Sequence, residues 1–527
     1  MILRIASKEW LNNIVTPRFI TGFVLCLLLI PFSIVISINE YKSKMNVYEI
    51  EKAKADEENK AKAYSTYRPV IVKKPTPLSI FARGISYNVG DRVKVFFGDK
   101  PMLSEGKAES RDNPFLNRFF TFDFVSVLVI IMSLMAFLFT YDICTGERES
   151  GTLKMMLANP VSRSAILMGK LLGTFLTLIP MLIFSFGLCL LVIILHKAIA
   201  FSGPEWIRIG VMILFSVVFL ILFMIVGLFI SSRVRHSATS IVICLIVWVI
   251  FLFIIPNLAS YSAKSFIRVG SSENLEYDIN SIEKEFQDKA GEFSVKQQQP
   301  DWSGSSYYWG GEDGFKLIGG ATKNFMERER RINEYCGPLL IQYADKKWPF
   351  REQYLHELEK QQKLAKYLSF LSPSEIFKES ASALCSTNYE SHNNFLNQTR
   401  NYRELLINYY LKNHLFGSFS YFTQLDPGSF MTADELINYE SNGLCKTFSE
   451  FNTKFHGDWQ YLTKIIPNSN VFEWKPIDMS GLPQFEYRNL NVLTDISNSL
   501  IYIGVLLGIG IILFWLSFLS FIQYDVR

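Results

Sequence analysis

The residues best placed to do chemistry lie in Tyr141–Gly173, YDICTGERESGTLKMMLANPVSRSAILMGKLLG, a charged, glycine-broken stretch set between two long apolar runs. Glu147 and Glu149 form an acid pair of the kind that performs acid–base work. At the end of an apolar run, with Arg148 between them, they read instead as a contact surface. Nucleotide chemistry by a phosphate loop is excluded: Met168-Gly169-Lys170 lacks both the upstream glycine and the Ser/Thr of GxxxxGK[ST]. No GxSxG elbow, HExxH or kinase motif set occurs. The six histidines, among them His236, His356, His392, His414 and His456, stand beside no nucleophile and carboxylate partner. The seven cysteines are scattered, with no CxxC or Cys/His cluster to hold a metal. Cys336, Cys385 and Cys445 allow at most one disulfide, and nothing selects the pair. A net charge of +4 is too weak to point to nucleic acid.

The elements that must position this stretch are membrane spans. The chain is 49% hydrophobic, and its mean hydropathy of +0.17 averages very apolar runs with a very polar middle. Six runs approach or exceed the ~20 apolar residues a bilayer requires: Phe19–Ile38, Phe119–Thr140, Ile166–Leu195, Trp206–Ile230, Thr239–Pro256 and Leu500–Ile522. The third is over-long and carries Pro180, which predicts a kink or strong tilt. The first is too long for a cleaved signal peptide and lacks a small-x-small site. Residues 1–18 place Ile2, Ala6, Trp10 and Ile14 about one turn apart, as an amphipathic surface helix or an ordinary flanking helix would.

Basic residues set the expected orientation. Arg4, Lys8, Arg18, Arg148, Lys154, Arg163, Lys170, Arg233, Arg235 and Arg527 share one side, whereas the short loop His196–Glu205 offers only Lys197. Both termini are therefore expected in the cytoplasm, with two insertions outside, 39–118 and 257–499. Residues 141–165 form a cytoplasmic coupling segment, 166–256 carry spans three to five, and 500–522 and 523–527 form the last span and tail. The first insertion opens with a mixed-charge helical stretch and continues into short strands joined by turns. The second reads as helices over Asn274–Gln299, Ala321–Lys346, Phe350–Phe370, Pro373–Leu384, Tyr389–Lys412 and Ala433–Lys464. Its DWSGSSYYWGGEDG segment reads as a loop whose Trp302, Tyr307, Tyr308 and Trp309 either anchor it or form a ligand platform. The fold class is a polytopic α-helical membrane protein with six spans and two extracytoplasmic insertions, the larger mainly helical, the smaller with some β.

The spans carry almost no ionisable residues, and Asp123 and Asp142 lie at the two ends of the second. A proton-coupled transporter would need such groups at mid-depth, so energy must enter elsewhere. Within the coupling segment Gly151 permits a tight turn and Thr152 can cap a short helix, Leu153–Ala158. Leu153, Met155, Met156 and Leu157 give that helix an adaptable apolar knob. Asn159-Pro160 ends it, and Ser162 or Ser164 can cap the next helix. The segment is a lever or a plain connector.

These residues resemble the signature of ABC-2-type transporter permeases, in which a GERExGTL-like stretch and a PVSR-like turn precede the third span. RIASKEWLNNIVTPRFITGF, KKPTPLSIFARGI, FLSPSEIFKESASALCSTN and the terminal FLSFIQYDVR resemble further blocks of members with an enlarged external domain, in the same order along nearly the whole chain. The resemblance implies a bacterial inner-membrane protein that pairs with a second permease copy, identical or related, and binds two copies of a separate ABC ATPase. It implies no cofactor in this chain, with ATP and Mg²⁺ held in the ATPase, whose cleft receives the helix after span two. It also implies that spans two and five line the path between copies. Ser126, Ser133, Thr140, Thr239 and Ser240 are then path candidates, and equally helix-packing residues. Compact members lack so large an insertion before span six, so a re-entrant gate there is not assumed. The expected function is an ATP-driven exporter permease. The alternative is mechanical transmission to a periplasmic partner or lipid-linked substrate without a continuous path. A membrane-bound enzyme or receptor is a third class, for which the external region offers no recognisable catalytic set.

Overall fold

A computed structural model describes residues 2–58, 61, 63–103, 122–152, 162–196, 199–297, 308–310, 316–318, 322–456, 475–478, 480–489 and 491–522. Among them, six helices are long and apolar enough to cross a membrane. They are α2 (Pro17–Glu58), α3 (Phe124–Thr140) with its continuation to Glu149, α5 (Arg163–Leu195), α6 (Gly203–Arg233), α7 (Ser237–Val249) with its continuation, and α15 (Val492–Ile522). The short α1 (Ile2–Ile14) and α4 (Thr145–Glu149) flank the N-terminal end of α2 and the C-terminal end of α3. We call the side carrying α1 and α4 the basic face and the opposite side the domain face.

The spans differ in what surrounds them. Fourteen of the seventeen residues of α3 are buried, so it is the centre of the bundle. Around it, α2, α5, α6 and α7 contribute to one apolar core that includes Ile30, Met181, Phe219, Phe223 and Cys244. The α7 helix leaves its outward face bare, with Val242, Leu245, Ile246 and Val249 exposed. Pro180 does not interrupt α5. Ser162 caps its start by accepting from the Ala165 N–H.

Span five is broken in register rather than ended. After α7 the helix passes through a π-helical stretch, Ile250–Ile254, and continues as α8, Ile255–Phe266, beyond the sequence-based boundary at Pro256. Beyond α8 stand α9 (Ser272–Lys296) and α10 (Lys323–Ser369), then α11 (Pro373–Leu384) and α12 (Tyr389–Lys412). The helices expected over Ala321–Lys346 and Phe350–Phe370 are one helix that runs through Pro338 and Pro349. Of the helix expected over Ala433–Lys464, the described part is instead α13 (Ala433–Glu440) and α14 (Phe448–Phe455), and residues 457–464 lie outside the described residues. Asn442 and Gly443 take positive φ between them, 49° and 82°, and end the first. The expected glycine-aromatic loop contains β3 (Tyr308–Gly310), paired antiparallel with β4 (Lys316–Ile318). Trp302 and Tyr307 lie outside the described residues.

The two insertions form one body. In the first, β1 (Val70–Val72) pairs antiparallel with β2 (Arg92–Lys94). This hairpin shares a core with α12, through Ile71, Val93, Phe97, Phe395, Leu406 and Tyr410. The fully buried Arg403 of α12 donates to the carbonyls of Phe96, at 3.0 Å, and Phe97. These bonds supply the partners that a buried guanidinium requires. On the membrane side the Pro-Leu-Ser block packs Leu78, Ile80 and Phe81 into the span core. Thr387 closes the joint by donating to the Ala82 carbonyl at 3.0 Å and accepting at its own carbonyl from Ile85.

The α11 helix departs most from expectation. Placed by its sequence within the second insertion, it lies among the spans: Ile376, Phe377, Ala381 and Leu384 belong to the span core. Phe377 stacks on Phe219, midway along α6, at 4.9 Å. Its polar residues enter because neighbours satisfy them. Ser380 and Ser382 donate to the Phe377 and Lys378 carbonyls, and Lys378 pairs with Glu375 at 2.9 Å.

Candidate functional site

The site is built where α3 ends. Tyr141–Cys144 turn the chain under the bundle, and the five-residue α4 carries the charged triplet. Each member of the triplet holds a different helix. Glu147 pairs with Lys170 of α5 at 2.8 Å. Lys170, itself buried, also donates to the Ile143 carbonyl at 3.2 Å and lies 3.9 Å from Glu9 of α1. Burial pushes the Glu9 carboxyl up, against the downward pull of Lys170. Arg148 donates to the Val234 and Ser232 carbonyls at 2.7 and 2.9 Å, which closes the C-terminus of α6. Glu149 accepts from the Ser237 N–H and hydroxyl, both at 2.8 Å, which caps α7.

The backbone reinforces the same contacts. The Cys144 and Thr145 N–H groups donate to the Ser231 hydroxyl of α6 at 3.0 and 3.3 Å. Ser240 of α7 donates to the Tyr141 carbonyl at 2.7 Å. Asp142 pairs with Arg18, near the start of α2, at 2.8 Å, and that guanidinium also lies over the Tyr141 ring. The twelve residues from Tyr141 to Thr152 therefore touch α2, α5, α6 and α7, and Lys170 links them to α1. The α1 helix is fixed on α5 by close approach: a Cβ on Gly169 would meet Ile5 at 2.8 Å, and one on Gly173 would meet Glu9 Cβ at 2.5 Å. These glycines form a GxxxG pair, which lets helix backbones approach closely. Glu9, Arg18, Lys170, Ser231 and Ser237 belong to the site, although sequence reasoning gave none of them this role. The GxxxG spacing around Lys170 was the one usable signal.

Past α4 the chain is presented outward. Glu149, Ser150, Gly151 and Thr152 are exposed. Gly151 has φ +73° and nothing within 4 Å of where a Cβ would sit, so its conformation and not crowding favours glycine. Thr152 donates to the Glu147 carboxylate and shares a 2.8 Å bond with Ser150. Leu153, Met155, Met156 and Leu157, expected to form the apolar knob, lie outside the described residues.

The path candidates differ in where they lie. Ser126 is buried in the first turn of α3, its N–H taken by the capping Asp123. Ser133 donates to the Val129 carbonyl at 2.6 Å and accepts from the Trp248 indole of α7 at 2.8 Å. Thr140 donates to the Ala136 carbonyl at 2.6 Å and sits on Gly227 of α6. Thr239 faces outward from α7. Four of the five thus face into one subunit. Among the described residues no His/Cys/Asp/Glu group is arranged to hold a metal.

Comparison with known proteins bears on the family of the chain. The sequence model described as "ABC-2 family transporter protein" matches residues 3–411. A probable ABC transporter permease protein NosY of Stutzerimonas stutzeri is 30% identical over 129 residues, covering 24% of this chain and 47% of that protein. The protein of the same description from Pseudomonas aeruginosa is 39% identical over 69 residues, covering 13% of this chain and 25% of that one. The chain thus spans less than half the length of each of these relatives.

Proposed function

Because the chain belongs to the ABC-2 family of transporter proteins and is a membrane permease subunit of an ABC transporter, we propose that it is an exporter subunit driven through Asp142–Thr152 by a separate ATPase. ATP and Mg²⁺ are bound by that ATPase. One observation carries the reading: three consecutive charged residues each hold a different span, and the exposed Ser150-Gly151-Thr152 follows directly. A push on the exposed turn would reach α5, α6 and α7 together. Two copies of the ATPase act on two copies of the permease, with both termini in the cytoplasm of a bacterial cell and the domain face outside. The exposed apolar face of α7 is available to lipid or to the second copy.

The alternative reading, mechanical transmission without a continuous path, draws support from α3. Its small polar groups are closed by bonds inside the subunit, and the joined insertions rest directly on the spans. A periplasmic partner or lipid-linked substrate would then receive the movement.

Both readings share the same entry point, which is tested directly. Glu149→Lys removes the cap of α7 and places a like charge on its N-terminus, and deletion of Gly151-Thr152 removes the exposed turn. We expect either change to cut permease-stimulated ATP hydrolysis at least about fivefold, the low end of typical coupling between sites, while the spans stay folded. Normal stimulation in both variants would remove the docking assignment.

A further inference from the structure

The π-helical break in span five creates an acceptor inside the bundle. In π register the N–H of residue i bonds the carbonyl five residues back, as Ile255 does to Ile250. The next donor in that series is Pro256, which has no N–H, so the Phe251 carbonyl loses its helical partner. Two hydroxyls replace it: Ser372 and Ser374, on either side of Pro373 at the start of α11, both lie within donating distance of the Phe251 oxygen, Ser374 at 2.9 Å, and share their two protons among that oxygen and each other. Their own oxygens lie 2.7 Å apart, and both side chains are fully buried.

The same α11 helix is held to α6. Phe377 stacks on Phe219, and Ser386, just past the end of α11, accepts from Arg208 near the outer end of α6 at 3.1 Å. Arg208 also pairs with Asp495 of α15, to which Ser386 donates at 3.2 Å. Besides α15, α11 thus grips the two spans whose inner ends are held by adjacent residues, Arg148 on α6 and Glu149 on α7.

We infer that α11 is the receiver of the movement entering at the basic face, and that Ser372 and Ser374 on the Phe251 carbonyl are the joint that passes it to the external domain. The inference rests on the docking reading and adds its outlet. A relative shift of α6 and α7 must either carry α11 or break the two serine bonds, because α11 is fastened to both. A π-bulge is a suitable place for such a joint, since its register can change without ending the helix. From α11 the movement reaches α10 and α12 through Lys366, which bonds Glu379 of α11 at 3.2 Å and lies 3.6 Å from Glu390 of α12. Ser372 and Ser374 act as positioning residues, touching neither ATPase nor cargo.

The test uses the whole complex of the chain with its cognate ATPase in lipid nanodiscs. Hydrogen–deuterium exchange of the α11 amides is measured nucleotide-free and after trapping with ADP and vanadate, alongside ATP turnover. We expect wild-type α11 to change its exchange on trapping. The double variant Ser372→Ala, Ser374→Ala should shrink that change about fivefold or more while permease-stimulated turnover stays within about twofold. Ser372→Thr with Ser374→Thr keeps both hydroxyls and should restore the response. Pro256→Ala leaves α11 unaltered but supplies a competing N–H, and should weaken the response if the alanine pair fails to assemble. A full α11 response in either the alanine pair or Pro256→Ala overturns the joint. Wild type that stimulates turnover without any α11 response also overturns it. Wild type that does not stimulate turnover overturns the docking reading instead, and the turnover assay alone reports that.

Discussion

Lys170 joins three elements through one ammonium group: Glu147, Glu9 and the Ile143 carbonyl surround it in a nearly closed site. Lys170→Met would leave two carboxylates facing each other without a cation. Breaking such a buried pair costs about 3 kcal/mol, so we expect a clear drop in unfolding temperature in detergent and early loss of α1 protection. A second residue adds an acid-sensitive contribution to the body formed by the two insertions. Burial, with Lys73 and Arg400 nearby, pushes the His392 imidazole of α12 down to about 3 from an ordinary 6.5. Folding therefore holds His392 neutral, and the unfolded chain takes up a proton below 6.5 that the folded chain refuses. This contribution is intact above pH 6.5 and is lost as pH falls from there towards 3, by about 2 kcal/mol at roughly pH 5. His392→Gln should flatten that part of the stability–pH curve. An unchanged slope would show that other groups control it. The charged triplet itself was legible in the sequence, because charge between two apolar runs is conspicuous. Its partners were not: Ser231 and Ser237 lie more than eighty residues away, and no periodicity links them to Glu149.

At the scale of elements, close helix approach and broken helices do the positioning. Gly173 lets α1 lie against α5, and Gly173→Ala would drive a methyl into Glu9 Cβ at 2.5 Å and the Ala6 carbonyl at 2.8 Å. Overpacking of this kind costs about 1–3 kcal/mol. We expect faster amide exchange and proteolysis confined to Ile2–Ile14, and unaltered exchange of α1 would refute the packing. The spans could be found from apolar length alone, and α11 and α12 from their Ser-Pro and Asn starts. The location of α11 could not. Its serines, glutamates and lysine look solvated in sequence, and only internal bonds make it fit among spans. Continuity through Pro338 and Pro349 was hidden for a related reason: packing against α8 and α9 holds α10 together where local propensity predicts a break.

At the scale of the molecule, the chain is a set of rods fastened at both ends. Arg148 and Glu149 hold α6 and α7 at the basic face, and α11 with Arg208–Asp495 holds the same bundle near the domain face. The merger of both insertions into one body would give the proposed movement a single recipient. Composition could not reveal the merger, because the hairpin and α12 meet across some three hundred residues of chain. Whether the entry point is where we place it can be read most directly by photo-crosslinking. A photoreactive side chain at exposed Ser150, in membranes containing the full chain and its ATPase, should yield one dominant adduct with the ATPase, and that adduct should disappear in the Glu149→Lys background. Adducts only with lipid or with the permease itself, while ATP turnover remains stimulated, would contradict docking at Asp142–Thr152.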